Sequence, residues 1–187
     1  MKEMTMCARG KLYTLLLSPS VISAILFQIG WFVCIFCPPI IVLIYVVFYA
    51  VVHFLFICHQ SLFWLFSLRL FFVGIAIDAF WVYSGIIQLA PVDKVIPYWL
   101  VCLWIMFALA LPFGFGFIRK HNALAIGLGL FGAPLSYIAG AAGRDDAMLM
   151  SPIWQSVFCI GVSWAVVLLL SNLMQHKMKL FTSSEQV

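Results

Sequence analysis

The hydrophobic pattern of the chain consists of long apolar runs separated by short segments that carry charge or proline. A helix needs about 20 mostly apolar residues to cross a hydrocarbon core about 30 Å thick. Six runs reach about this length, and they are apolar on all sides, which is typical of helices in lipid. The predicted spans are Pro19–Cys37, Ile40–Cys58, Ser67–Leu89 (with an alternative start near Leu62), Ile96–Ile118, Ala123–Ala142 and Pro152–Asn172.

This pattern predicts an all-α fold, a polytopic transmembrane bundle of about six spans that forms one domain over residues 19–174. Pro38 and Pro39 separate the first two spans, which predicts a tight helical hairpin. Residues 1–18 and 175–187 are predicted to be cytoplasmic tails. A basic segment precedes the first span, but no small-residue cleavage site follows, so we expect this span to be uncleaved.

The lysine and arginine residues predict the orientation, because positive charge near span ends is retained in the cytoplasm. With both termini inside, only Lys94 and Arg144 fall outside the membrane. The N-in, C-in arrangement is therefore favoured. The residues that it places inside are Lys2, Arg9, Lys11, Arg69, Arg119, Lys120, Lys177 and Lys179.

Composition excludes an ordinary soluble domain. Hydrophobic residues make up 66% of the 187 positions and charged residues 9%, against roughly 45–50% and 25% in soluble proteins. The net charge of +4 is scattered singly or in pairs among apolar blocks. Because no basic patch results, we expect no nucleic-acid partner.

Asp78 is the most informative polar residue, because it lies near the middle of the third predicted span. An ionised side chain at this depth costs roughly 2.5–3.5 kcal/mol on insertion scales. At about 100° per residue, Gly74 and Gly85 share its helix face, so a neighbouring backbone is expected to approach the carboxyl closely. That face is predicted to point into the bundle.

Three further side chains are predicted to form a polar centre with Asp78. Gln28 lies near the middle of the first span, and Ser136 and Tyr137 lie slightly outward on the fifth. Two interpretations of this centre stay open. It is either an interhelical hydrogen bond that fixes the packing of the helices, or a binding site for a ligand or proton.

His53 and Arg69 lie on the inner halves of the second and third spans, where they are candidates for a polar inner vestibule. Arg69 is roughly 13 Å from Asp78 along the helix and on the opposite face, so the two do not pair directly. The alternatives are a packed, neutral His53 and an Arg69 side chain that extends to the cytoplasmic headgroups.

Cys34 and Cys37 form a C-x-x-C motif at the periplasmic end of the first span. An oxidising compartment supports thiol–disulfide exchange there. However, quinone-linked oxidants of the DsbB-like type need a second periplasmic cysteine pair, and the other four cysteines lie outside the outer loops. A chance placement of two apolar thiols on one helix face is the alternative.

The fifth span contains Gly127, Gly129 and Gly132, which match a dinucleotide motif by spacing but lie inside an apolar helix. Gly132, Ser136 and Gly140 instead form a small-residue stripe suited to close helix contact. The sequence has no metalloprotease motif, no phosphate-binding loop and widely spaced histidines. We therefore expect no metal site and no cofactor.

Three motifs stand out together, namely Leu26–Phe32 with Cys34, Gly74–Asp78, and Gly132–Tyr137 with Gly140. They resemble those of a bacterial inner-membrane family, domain-of-unknown-function family 2878. The likeness covers most of the chain from about Leu26, without the polar extension before it. Genes of such families often lie near cyclopropane-fatty-acid-synthase-like and flavin-amine-oxidase-like genes, so the resemblance implies a link to membrane lipid modification or stress response. It also favours joint action of Gln28, Asp78 and Ser136.

The favoured function is a non-enzymatic protein of the bacterial inner membrane whose polar site binds or senses a small or lipidic ligand. Its expected partners are membrane lipids and lipid-modifying enzymes, and the oligomeric state stays open. One alternative is a small-molecule or proton-coupled transporter, with Asp78 as the protonatable group and helix breaks at Pro112 and Pro134. The other is a membrane enzyme in lipid or thiol redox chemistry.

Overall fold

The structure is a computed structural model that describes residues 18–57, 61–89, 96–144, 147–149 and 152–178. Most of the two predicted tails, residues 1–17 and 179–187, lies outside the described residues. The described part is an all-α bundle of six helices, as predicted. Five of these helices are long and apolar enough to cross a membrane.

Helices α1 (Pro19–Phe36) and α2 (Pro39–Ile57) form the predicted hairpin. Ser18 caps α1, since its hydroxyl accepts from the Val21 amide at 3.4 Å. Each helix starts with a proline, whose fixed φ suits the first turn. The Tyr45 hydroxyl donates to the Leu26 carbonyl at 2.6 Å, which joins the two helices.

Helix α3 (Ser61–Tyr83) begins and ends six residues earlier than the main prediction, close to its alternative start at Leu62. Gly85 explains the end, because its φ of +80° is a left-handed conformation that terminates a helix. The predicted shared face of Gly74, Asp78 and Gly85 is therefore wrong for Gly85. Asp78 lies roughly 8 Å from the end of α3 and not at its middle.

The residues after Gly85 form a short strand where helix was predicted. Strand β1 (Ile87–Leu89) pairs antiparallel with β2 (Ala147–Leu149), and Ile87 lies opposite Leu149. This two-stranded ribbon lies at the end of the bundle where α3 and α5 end. We call this end of the bundle the ribbon end.

Helix α4 (Tyr98–Gly114) has 17 residues and is the most enclosed element of the bundle. It packs against α1, α2 and α3. A Cβ atom at Gly114 would lie 3.0 Å from the Ala24 amide nitrogen of α1, so glycine permits close contact between these helices. A 3₁₀ helix over Gly116–Lys120 follows the helix and completes most of the predicted fourth span.

Helices α5 (Asn122–Ala142) and α6 (Ile153–Met178) complete the bundle. A π-helical turn over Leu128–Gly132 interrupts α5 just before Pro134, where a kink was predicted to occur. A Cβ atom at Gly129 would lie 2.4 Å from the Ala165 backbone, so the backbones of α5 and α6 are in close contact here.

The outward helix surfaces are apolar. Phe56 and Phe131 are more than 70% exposed, and exposed aliphatic side chains cover much of α2. A water-soluble monomer rarely presents such large apolar surfaces. The length of the helices and the character of their exposed faces together define a membrane protein.

Candidate functional site

Asp78 lies on α3 and its side chain is fully buried. The indole Nε1 of Trp104, on α4, donates a hydrogen bond to Asp78 Oδ2 over 2.6 Å. The predicted inward orientation of this face is therefore seen in the structure. A buried carboxyl must be hydrogen-bonded to offset its lost hydration, and the indole supplies part of that compensation.

Tyr137 of α5 supplies the second partner of Asp78. Its hydroxyl lies 2.7 Å from Oδ1 and 2.9 Å from Oδ2 of the carboxyl. Trp164 of α6 donates in turn to the Tyr137 hydroxyl at 3.4 Å. The resulting network, which we call the Asp78 cluster, consists of Asp78, Trp104, Tyr137 and Trp164 and joins four helices.

Aromatic stacking holds the two tryptophans of the cluster side by side. The Trp104 and Trp164 rings stack with centroids 4.7 Å apart and planes at 16°. Gly74, one turn before Asp78, makes room for this arrangement, since a Cβ atom there would lie 2.1 Å from Trp104 Cε3. The predicted close approach at Gly74 thus occurs through an indole ring and not through a neighbouring backbone.

A cavity with a volume of about 420 Å³ lies beside the Asp78 cluster, within the size range of ligand pockets. Trp104, Tyr137 and Trp164 line it, whereas Asp78 lies behind them and is not part of the lining. Its other walls come from apolar residues of α1, α4, α5 and α6 and from the strands. Among them are Phe27, Trp31, Leu103, Phe107, Phe115 and Leu168.

The small-residue stripe of α5 faces this cavity. Gly132, Ser136 and Gly140 all line it, together with Ala133 and Ala139. Gly140 also lies against α1, since a Cβ atom there would be 3.4 Å from Ile35 Cδ1, whereas the backbone contact with α6 is made by Gly129 on a different face. Small side chains here leave volume unfilled, and that volume is the cavity.

The structure separates Gln28 and Ser136 from Asp78. Both side chains are exposed and both line the cavity, and neither donates to the carboxyl. Of the four residues predicted for the polar centre, only Asp78 and Tyr137 are in direct contact. Gln28 and Ser136 instead line the cavity while being exposed at the surface of the bundle.

His53 belongs to a separate buried cluster between α1 and α2. Its Nδ1 lies 3.0 Å from the Tyr49 carbonyl, which requires an N–H there, and its Nε2 lies 3.1 Å from the Ser23 hydroxyl. Both ring nitrogens are thus satisfied, as in a packed histidine. Arg69 is exposed on α3, so the structure does not bring the two candidates for an inner vestibule together.

Cys34 and Cys37 are free thiols in the structure. Cys34 is fully buried on α1, and Cys37 is the residue that follows the helix. Burial in apolar surroundings makes a thiol unreactive. Among the described residues, no group of three or more histidine, cysteine or acidic side chains is arranged to hold a metal ion.

The sequence pattern does not identify Trp104 and Trp164 as site residues. Tryptophan in membrane proteins is enriched at the interfaces, and this rule accounts for residues near span ends. Trp104 and Trp164 instead lie well inside their helices. A tryptophan within a span has an N–H group that needs a hydrogen-bond partner in hydrocarbon. This need is the sequence signal that links the two tryptophans to a polar residue such as Asp78.

Comparison with protein families gives a match to one model, described as Protein of unknown function (DUF2878), over residues 20–170. The chain belongs to this family. The match begins a few residues before the resemblance seen in the sequence and includes all four residues of the Asp78 cluster. Searches of curated proteins and of solved structures found no match.

Proposed function

We propose that this protein binds the hydrocarbon chain of a lipid in the cavity beside the Asp78 cluster, as a non-enzymatic protein of the bacterial inner membrane. The observation that carries the proposal is the cavity itself, which is apolar, lined by aromatic rings and set inside a membrane bundle. Apolar pockets with a few convergent polar groups are typical ligand sites.

The shape of the cavity supports a chain-like ligand. Its lining residues on α5 extend from Leu128 to Ala141, roughly 20 Å along the helix. The cavity, with its volume of about 420 Å³, is therefore elongated along α5. A passage of these dimensions accommodates one extended hydrocarbon chain, whose carbon atoms contact the walls at about 4 Å.

The opening of the cavity supports entry from the bilayer. Near the ribbon end, α1 approaches α5 where the Ile35 side chain lies beside Gly140 and Gly143. Further along, the exposed side chains of Gln28 and Leu135 border the cavity from the two helices. A lipid chain can pass between α1 and α5 without leaving the hydrocarbon region.

The Asp78 cluster supports this function by holding the cavity wall in place. Asp78 accepts from Trp104 and Tyr137, and both of these side chains form part of the wall. The carboxyl does not line the cavity, so the geometry favours ligand binding over proton-coupled transport through Asp78. The proposed partners are membrane lipids and, following the family resemblance, lipid-modifying enzymes.

The test is lipid retention by the purified protein, compared between two variants that place the same side chain on α5. Ala139 and Ala142 are both exposed, but only Ala139 lines the cavity. We expect Ala139→Trp to lower several-fold the amount of co-purified lipid measured by mass spectrometry, and Ala142→Trp to retain the wild-type amount. Equal retention in the two variants would contradict the proposal.

A second test addresses lipid modification in the cell. Lipid analysis of a strain that lacks the gene is compared with the same strain carrying the wild-type gene or Ala139→Trp. We expect the acyl-chain composition to change on deletion and to be restored by the wild type only. Unchanged acyl chains in the deletion strain would remove the link to lipid modification.

A further inference from the structure

Two polar side chains face hydrocarbon at the opening of the cavity. Gln28 lies on the exposed side of α1 together with Ile25, Ile29 and Phe32, each about half exposed. An amide in such a stripe lies among apolar side chains, and hydrocarbon offers it no hydrogen-bond partner. Its exposure to lipid is unfavourable, because an amide in an apolar medium loses its hydration and gains no hydrogen bond in return.

Ser136 repeats this situation on the other side of the opening. It is exposed on α5 beside Leu135, and Phe131 lies one turn earlier, with the two apolar side chains 64% and 71% exposed. Within the described part of the chain, neither Gln28 nor Ser136 has a hydrogen-bond partner for its side chain. Serine in a helix often donates to the carbonyl one turn earlier, as Ser163 does to Cys159, but Ser136 does not.

The two side chains lie at similar depths. At 1.5 Å per residue, Gln28 is about 12 Å and Ser136 about 9 Å from the ribbon ends of their helices. Half of a hydrocarbon core is about 15 Å thick, so both positions are below the headgroups. A polar headgroup at the membrane surface therefore does not satisfy them.

We propose that the bound chain carries an oxygen function, a hydroxyl or a carbonyl, in its middle, and that Gln28 and Ser136 bind it. This inference rests on the proposed function and specifies its ligand class as a mid-chain oxygenated acyl chain. The Gln28 amide supplies donors and an acceptor, and the Ser136 hydroxyl supplies one donor and an acceptor. The elongated shape of the cavity favours an extended oxygenated chain over a compact ring-bearing lipid.

The experiment is competition against a brominated fatty acid, 9,10-dibromostearate, which quenches tryptophan fluorescence on contact. Trp31, Trp104 and Trp164 line the cavity and report occupancy. Three competitors are compared on the full chain in nanodiscs, namely 10-hydroxystearate, 2-hydroxystearate and stearate. We expect 10-hydroxystearate to bind about five-fold more tightly than the other two, the equivalent of one net hydrogen bond.

The double variant Gln28→Leu with Ser136→Ala tests the assignment. It is expected to bind all three competitors with equal affinity. Ser84→Ala with Gln88→Leu is the matched control, since both residues are exposed and neither lines the cavity. This control is expected to keep the preference for 10-hydroxystearate.

The other outcomes separate the two proposals. Equal binding of the three competitors by the wild type overturns the oxygenated-chain inference and leaves chain binding intact. A preference that persists in the double variant overturns the roles of Gln28 and Ser136. If decylubiquinone binds more tightly than 10-hydroxystearate and its binding depends on the same two residues, the assignment of the ligand as an acyl chain is wrong. No quenching by the brominated probe overturns the proposed function as well.

Discussion

The Tyr137 hydroxyl lies 2.7 Å from a carboxyl oxygen of Asp78, and this bond joins α5 to α3 across the bundle. Trp104 approaches the other carboxyl oxygen from α4 at 2.6 Å. The carboxyl is fully buried, so its two neighbours replace the water that it loses. This cluster fixes the relative positions of the helices that form the cavity wall.

The first prediction concerns the coupling between these two residues. Tyr137→Phe is expected to lower the free energy of unfolding by about 0.6–1.7 kcal/mol, the range for interhelical hydrogen bonds in membranes. Asp78→Asn is expected to cost more, about 1–3 kcal/mol, because it keeps only one acceptor oxygen, whereas the carboxyl accepts from both Trp104 and Tyr137. The measurement is reversible unfolding in mixed micelles, followed by circular dichroism.

The double variant supplies the control for this prediction. Asp78→Asn with Tyr137→Phe is expected to cost less than the sum of the single changes, since both remove one shared bond. Ser84→Ala, an exposed change away from the cluster, is expected to have little effect. Strict additivity of the two single costs would show that the bond contributes nothing to stability.

A second prediction concerns Gly74, whose missing side chain admits Trp104. A Cβ atom here would lie 2.1 Å from the indole, so Gly74→Ala is expected to displace Trp104 and cost about 1–3 kcal/mol. Gly127→Ala is the matched control, because nothing lies within 4 Å of its added Cβ. The control is expected to be neutral or slightly stabilising, as helix propensity favours alanine. Thermal unfolding midpoints in detergent compare the two variants.

A third prediction concerns the contact of α5 with α6 at Gly129. A Cβ atom here would lie 2.4 Å from the Ala165 Cα and amide nitrogen, so Gly129→Ala is expected to separate the helices and lower the unfolding midpoint. Adding Ala165→Gly is not expected to restore stability, because the collision is with backbone atoms. Full rescue by that second change would mean that the side chain of residue 165 causes the conflict.

Arg144 supports a fourth prediction at the ribbon end. Its Nη1 donates to the Cys34 carbonyl at 3.1 Å, near the end of α1, and its guanidinium lies 4.8 Å from the centre of the Trp99 ring. Arg144→Ala is expected to cost about 1–2 kcal/mol through the lost helix-end charge and cation–π contact. Arg144→Lys is expected to recover part of this stability. If lysine and alanine destabilise equally in chemical unfolding, the positive charge is irrelevant.

A fifth prediction concerns orientation in the membrane. The distribution of lysine and arginine favours cytoplasmic termini. Green fluorescent protein fused after Val187 is therefore expected to fluoresce, whereas alkaline phosphatase inserted after Asp93 is expected to be active outside. The reverse pattern of the two reporters would show that the chain is inverted.

The sequence by itself determined the solvent of this protein and the number of helices, because both depend on the length and apolarity of local segments. It also located Asp78, since an acidic residue inside an apolar run is visible without any neighbour. The end of α3 was missed although its cause is local. Gly85 adopts a left-handed conformation there. The apolar run continues to Leu89, so the hydrophobic pattern predicted a helix that extends past this glycine.

Only the tertiary structure decided which side chains meet. Gln28 and Ser136 were placed near Asp78 by depth alone, but depth does not specify the rotation of each helix about its axis. Trp104 took the position beside the carboxyl, because Gly74 leaves space for its ring. The small residues of α5 were expected to form a helix contact. Gly140 does lie against Ile35 of α1, but the stripe also faces a cavity, since whether a stripe is covered depends on where the neighbouring helices lie.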